Sequence, residues 1–446
     1  MSNLKAGFGI VDITPYLGTE IIGYLSPRYA EDIYDPLNAR SMVLESEGKR
    51  VAIVGCDLIA LPSSHVQAAR EMISKRSGIP VDHILIACTH THFGPSTTGL
   101  FGCNPEEDYL EWLIPRLADS VQLAVNRLQD ARIGWGIGKE HRVSFNRRFK
   151  MKDGTVCMNP GKTNPNVIEP AGPIDPDVGV IYVESTDGKP MGMIMNFALH
   201  YVGISNGSAI SADHFGYFAK AMKELKGEQF STIFLNGACG DINNVNVNDL
   251  NQPSGLPQIK KVCNTLAGVA LGVIENLKTV DECRLQAVNS EFKFKRKSIT
   301  PEDVALAERI LNEGPEGIED FYSWQRGMAI PVSWRQTLAR ECLLLKDIPE
   351  GLCTEIQGVQ IGDSAIIGLP GEIFTQIGLD IKANSPFPVT LISELSNDYI
   401  GYVPTDEALE QGGYETWAAR SALPGPGTAK AMVDLSVELL NKLIGS

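Results

Sequence analysis

Histidine is scarce in this chain, seven residues in 446, and basic side chains are outnumbered, 39 Lys and Arg against 54 Asp and Glu. The net charge of −15 comes with no Lys/Arg cluster, which argues against nucleic acid or an anionic membrane surface as partner. No apolar run reaches the roughly eighteen residues of a membrane span, so no membrane partner is expected. The opening MSNLKAGFGIVDITP lacks a basic segment followed by an apolar one, and the chain reads as unsecreted and cytoplasmic. Its nine cysteines are odd in number, scattered, and form no C-x-x-C pair; they read as reduced, buried thiols rather than a disulfide or cysteine–zinc framework. Repeats, low-complexity tracts and evident linkers are also missing.

What is present is a soluble-globular composition, 43% hydrophobic and 21% charged, with ample material for a large core. Apolar strands interleave with helices throughout. RVAIVGCDLIAL reads as a strand, and SSHVQAAREMISKRSG as a helix opened by a serine cap and closed by Gly78. HILIAC is the next strand, DYLEWLIPRLADSVQLAVNRL a helix, and VGVIYVES-TDGKP-MGMIMNFAL a hairpin. GYFAKAMKEL and SGLPQIKKVCNTLAGVALGVIENL are helices flanking the strand STIFLNGA. FKFKRK (292–297) reads as a strand with a solvated face; two helices, TPEDVALAERILNEG and PVSWRQTLARECLLLKD, follow it. TEIQGVQIGDSAIIGLPGE gives two strands around a Gly-Asp turn, PVTLISEL another, and TAKAMVDLSVELLNKL a terminal helix. The alternation predicts one α/β domain over 1–446, a large mixed β-sheet core flanked by helices.

In open α/β sheets ligands gather beyond the carboxyl ends of the strands. Those ends carry the rare residues: His90 and His92 in ILIACTHTHFGP, His200 after MIMNFAL, the turn CGDINN after TIFLNGA, Glu372 after AIIGLPG, and Tyr399 and Tyr402 after VTLISEL. Two histidines one residue apart on an extended segment project to one side, because side chains alternate along a strand. Imidazole and carboxylate are the ligands zinc takes, so His90, His92, His200 and Glu372 point to a metal site. His65 and His83 are given no function, and His141, beside Arg142, reads as a solvated loop residue.

The same residues carry a resemblance. AGFGIVDITP…IIGY with DPLNARSMVL, then ACTHTHFGP, NFALHYV, SADHFGYFAKAM, NGACGDIN, LPGEIFTQIG and NDYIGYVPT…GGYE resemble, in order, the motifs of the neutral (non-lysosomal) ceramidase family. The resemblance covers almost the whole N-terminal catalytic domain of that family. It implies zinc as cofactor, with His90, His200, Glu372 and Tyr402 as its ligands, and His92 and Tyr414 as the pair that holds the substrate's polarised oxygen. The choice of Tyr402 over Tyr399 comes from the resemblance alone. Three departures stand out. Asn243 occupies the place of a family serine, and an amide cannot act as a nucleophile. The family's further C-terminal β-sandwich is expected to be absent, and no export signal or lipid anchor is seen.

The expectation is therefore a zinc-dependent hydrolase that uses metal-activated water on an amide or ester of a small, water-soluble substrate other than ceramide. Arg147 and Arg148 in SFNRRF, Asp213 and His214 in SADHF, and Asn243 are expected to contact a polar or anionic substrate, unless the arginines are simply salt-bridged. Asp213, His214, Asn243 and Asn244 would give the pocket a polar floor. Two alternatives stay open: zinc-dependent lyase, isomerase or glycosidase-like chemistry on a sugar or polyol, and a non-catalytic binding protein. The oligomeric state is open too, a homo-oligomer included.

Overall fold

The computed structural model describes residues 4–204, 206–314 and 332–445. Its centre is an eight-stranded mixed sheet, in spatial order Ser231–Asn236, Pro190–Phe197, Asp177–Ser185, Gln129–Lys139, Leu4–Asp12, Asn38–Ser46, Lys49–Cys56 and Ile84–Cys88. Each edge of this sheet is a parallel pair and the strands between are antiparallel. A four-stranded sheet, Leu285–Lys295, Gly351–Ile361, Ser364–Gly368 and Val389–Ser393, packs against it. Their shared core includes Met42, Ile53 and Leu85 from the first sheet and Val359, Ile366 and Leu391 from the second.

Helices cover the remaining apolar faces. Ser63–Ser77 and Glu107–Asn126 bury Val66, Ile73, Leu113 and Val121 at one end of the large sheet. Asp213–Lys226 and Gly255–Asn276 bury Phe218, Met222, Val262 and Leu266 at the other. Thr375–Ala383 and Thr428–Gly445 back the small sheet through Ile377, Met432 and Leu440. None of the helices among the described residues is long and apolar enough to cross a membrane.

The two edges of the large sheet come together, and one short segment ties them. Beyond Val389–Ser393 the chain donates Glu394 N–H to Asn236 O on one edge (2.9 Å). On the other edge Leu395 O accepts from Cys88 N–H (3.1 Å) and Asn397 donates its N–H to Ile86 O (2.8 Å). Ile86 N–H returns a bond to Asn397 Oδ1 (3.0 Å). Leu395 and Asn397 sit at φ +53° and +65°, a backbone region that costs a bulky residue energy and persists only where the surroundings hold it. Sheet curvature and this strap bring residues from opposite edges into one place.

Several local expectations need correction. The first long helix has Pro62 as its N-cap with no side-chain cap; Asp398 Oδ1 accepts Ser63 N–H instead (3.0 Å). Gly78 does close it, at φ +74° with its N–H on Ser74 O. The strand expected through Leu61 ends at Cys56. Pro331, expected to open a helix, lies outside the described residues. FKFKRK has Phe292 and Phe294 inside, as expected, but Lys297 is buried and donates Nζ to Trp417 O (3.2 Å). The nine cysteines are all unpaired; Cys353 is exposed.

Candidate metal centre and its cavity

The H-x-H pair does not lie on a strand. Ile84–Cys88 ends before it, and His90 takes φ +67°. This left-handed kink, rather than strand alternation, turns the imidazoles of His90 and His92 together, ring centroids 4.8 Å apart. His200, three residues past Pro190–Phe197 on the opposite sheet edge, closes the group at 4.5 Å from His90 and 5.0 Å from His92. One nitrogen from each histidine lies within 4.8 Å of the others.

Hydrogen bonds fix which nitrogen each ring presents. Nδ1 of His90 meets the carbonyl of Ile59 (2.9 Å), and Nδ1 of His92 that of Gly23 (2.8 Å). A carbonyl only accepts, so both Nδ1 atoms carry the proton and each Nε2 is left for the centre. Burial pushes the His90 imidazole down, but Glu372 beside it outweighs that and raises it, whereas His92 is neutral and offers a bare Nε2 lone pair. Gly23 is at φ +111°, and a Cβ there would lie 2.8 Å from the His92 side chain; only glycine lets the loop close over the ring. His200 is the opposite tautomer: its Nδ1 faces Arg147 Nη1 at 3.4 Å and is the acceptor, so Nε2 carries the proton.

Glu372 arrives from the second sheet. Glu372–Ile373 pairs in parallel with Tyr402–Val403, with Glu372 opposite Tyr402 in register. That ladder settles which tyrosine faces the cavity: Tyr402 lines it, while Tyr399 stands behind Glu372 and donates its hydroxyl to Oε1 (2.8 Å). Glu372 Oε2 is 3.4 Å from His90 Nε2 and 3.7 Å from His200 Nδ1. Burial pushes the Glu372 carboxyl up, but His90, Tyr402 and Arg147 outweigh it and hold it below the usual carboxylate value. Burial and the neighbouring His90 push His92 down to about 3, so its ring is neutral.

Three buried atoms, His90 Nε2, His92 Nε2 and Glu372 Oε2, have no hydrogen-bond partner. Unpaired buried polar atoms are costly, and three converging ones of ligand type call for an occupant. Imidazole nitrogens beside a carboxylate fit a zinc-type cation. The geometry draws no line between His92 and the two other histidines.

The centre opens into a cavity of about 530 Å³. His92, His200, Tyr402, Tyr414, Arg147 and Asn243 line it, as the sequence reading required. Arg148, Asp213 and His214 do not. Arg148 donates to Glu415 Oε2 (2.7 Å) and Gly412 O (2.8 Å), because Glu415 takes both arginines, Arg147 through Nε at 2.8 Å. Asp213 accepts from Gly203 N–H and His214 packs on Tyr201 and Phe234, inside the core. The expected polar floor is thus Asn243 and Asn244, joined by Asn159, with Leu25, Val202 and Trp334 as apolar wall.

Sequence reasoning missed Asn159, Trp334, Glu415 and Glu394. Glu394 is fully buried: Oε2 accepts from Cys239 N–H (3.0 Å) and Ile373 N–H (2.8 Å), and Oε1 from Cys239 Sγ (2.8 Å). It holds the glycine turn against the Glu372 strand, where a Cβ on Gly240 would strike Glu372 O at 2.6 Å. A lone carboxylate within the apolar run VTLISEL was the available signal.

Fold and site together define an α/β protein with a buried three-histidine, one-carboxylate centre at the mouth of a cavity. The chain is similar to neutral ceramidases. No family model matches the chain. The neutral ceramidase of Pseudomonas aeruginosa is 24% identical over 98% of this chain and 72% of its own length. Neutral ceramidase A of Dictyostelium discoideum is 27% identical, over 48% of this chain and 31% of its own. A crystal structure of the P. aeruginosa enzyme superposes over the whole chain, and 75% of its own, with a TM-score of 0.74 at 21% identity. A ceramidase complexed with C2 does so at 0.75 and 20%, over 76% of its own chain. The sequence likeness is neutral ceramidase homology along nearly the full chain, and the structural one shows a shared fold.

Proposed function

We propose that this protein is a zinc-dependent hydrolase acting on an amide or ester bond of a small polar substrate other than ceramide. The observation that carries the reading is the convergence of His90 Nε2, His92 Nε2 and Glu372 Oε2, all buried and without a hydrogen-bond partner, beside the cavity that His92 and His200 line. Homology to neutral ceramidase supports the hydrolase class.

His90, His200, Glu372 and Tyr402 would hold the ion, with Tyr399 fixing Glu372 from behind; the ion would take the His200 Nδ1 lone pair that otherwise faces Arg147. Zinc, when bound, supplies Lewis-acid polarisation of a carbonyl and acidifies water near neutral pH. The chain's own groups divide the rest. His92, neutral and protonated on Nδ1, has no N–H to offer an oxyanion; its bare Nε2 can accept a hydrogen bond from an attacking water and orient it. This departs from the oxygen-holding role the family resemblance implied. Tyr414, whose ring lies 5.6 Å from that of Tyr402, keeps its proton because burial pushes its hydroxyl well up. That hydroxyl can donate to the oxygen that gains charge. Asn243 and Asn244 bind and orient polar substrate groups.

The deciding experiment is elemental analysis of protein purified without added metal, followed by a screen of short N-acyl and ester substrates with and without chelator. Stoichiometric zinc and chelator-sensitive release of an acid are expected. Active protein without metal, or rapid zinc-dependent hydrolysis of short-chain ceramide, overturns the reading.

A further inference from the structure

The charge that lines the cavity is already committed. Arg147 gives Nε to Glu415, one terminal nitrogen to Gly240 O (2.9 Å), and the other to His200. Among the described residues, no Asp, Glu or Lys side chain lines the walls. Recognition beyond the metal centre therefore falls to neutral groups.

The amides there are oriented in sequence. Val245 N–H donates to Asn243 Oδ1 (2.9 Å), which fixes Asn243 Nδ2 as the donating end. Asn243 Nδ2 donates to Asn159 Oδ1 (3.2 Å), so Asn159 must turn its own Nδ2 away from that bond. Among the described residues nothing accepts from Asn159 Nδ2, and Asn159 lines the cavity. Its backbone is held as well: φ is +44°, its N–H donates to Arg147 O (2.8 Å), and its carbonyl accepts from Gly161 N–H (2.7 Å). An amide so anchored, with two unspent N–H bonds, is a preorganised donor.

We propose that Asn159 is the specificity-determining donor of this site. Its Nδ2 meets an uncharged oxygen acceptor, a hydroxyl, ether or carbonyl, on a part of the substrate other than the reacting carbonyl. Asn243 is the positioning residue that aims it, which gives a role to the amide standing where the resembling family has serine. The proposal deepens the hydrolase reading and rests on its cavity.

The probes are 2-methoxyacetamide and butanamide, equal in length, one carrying an ether oxygen where the other has a methylene. Calorimetric binding to the zinc-loaded protein should favour the ether about 5- to 10-fold, the worth of one neutral hydrogen bond. Asn159→Gly, which suits the positive φ, should bring the ratio to about one. Asn159→Asp, which keeps the shape but replaces the donor with an acceptor, should invert it. Asn243→Ser should weaken it. Equal binding by the parent protein, or a preference that survives Asn159→Gly or Asn159→Asp, overturns the proposal. Hydrolysis of 4-nitrophenyl methoxyacetate and 4-nitrophenyl butyrate is followed alongside. Absence of turnover with both would count against the hydrolase reading alone, since amide binding is read without it.

Discussion

Two groups of buried histidine and acid lie in this molecule. In one, His90, His92 and Glu372 turn unpaired atoms toward one another and His200, beside a cavity that His92 and His200 line. In the other, Asp213, His214 and Tyr201 also leave atoms unpaired (Asp213 Oδ1, His214 Nε2, Tyr201 Oη) but sit among Phe234, Cys263 and Ile259, and none of the three lines that cavity. Burial and missing partners are common to both; convergence and access belong to the first. An unpaired buried polar atom therefore marks chemistry only where others aim at the same point and a substrate can reach it.

The largest expected effects test that contrast directly. His90→Ala and His200→Ala should each remove the metal and cut turnover by 10³-fold or more, on the order of the loss seen when a catalytic group acting as a unit is deleted. His214→Phe should leave metal content and turnover near those of the parent and not lower the melting temperature, because an apolar ring of similar shape replaces one with an unpaired nitrogen. Metal loss in His214→Phe would erase the distinction between the groups. A step down, His92→Ala and Tyr414→Phe should retain zinc and lose roughly 10²–10³ in kcat, the usual worth of a group that orients the reacting water or of an oxyanion donor. If zinc leaves with His92, it belongs among the ligands, as its 4.8 Å proximity to the others allows.

Legibility in the sequence followed the range of the interactions. Strand ends located His90, His200 and Glu372, because continuous apolar runs stop where a sheet meets its ligand. The helices and the main hairpins were readable for the same local reason. What failed was non-local. SADHF looked like part of the site since its residues are polar, yet Asp213 and His214 face the core, a matter of which way one helix turns. Tyr399 and Tyr402 could not be told apart until the ladder opposite Glu372 gave the register. Asn159, more than eighty residues from Asn243, had no periodic or motif signal at all. Nor did sequence show that opposite sheet edges meet, since the Glu394–Asn397 strap works mainly through backbone bonds, with Asn397 Oδ1 its one side-chain contact to the edge strand.

That strap allows a third, smaller perturbation, one that should blur the contrast from below. Glu394→Gln replaces a carboxyl oxygen facing backbone and thiol donors with an NH₂ group or a weaker acceptor. Burial raises the Glu394 carboxyl to about 8, so near neutral pH it is uncharged; a neutral hydrogen bond is worth about 0.5–1.5 kcal/mol, and urea unfolding should shift by that order. Zinc affinity should fall while kcat of the zinc-saturated protein changes little, since Glu394 touches the Glu372 strand and not the cavity. Unchanged stability and affinity would show the strap to be dispensable.

The smallest effect concerns the core group alone and appears in its pH dependence. Burial, with Asp35 adding to it against the Gly203 N–H, raises the Asp213 carboxyl to about 8. In the unfolded chain that carboxyl ionises near 4, an ordinary aspartate value. Between the two values the folded state keeps a proton that the unfolded state has released, so unfolding releases a proton and stability falls as pH rises through the window. Below about 4 both states are protonated, and above about 8 neither is, so the slope vanishes outside it. Asp213→Asn removes the titration, and asparagine tolerates the φ of +51° found there. The variant should therefore melt close to the parent at pH 4.5 and above it at pH 8, a difference of a few degrees, with metal content unchanged. A parent and variant that lose stability in parallel between pH 5 and 8 would show that Asp213 is already ionised in the folded protein, and that the core group is paired after all.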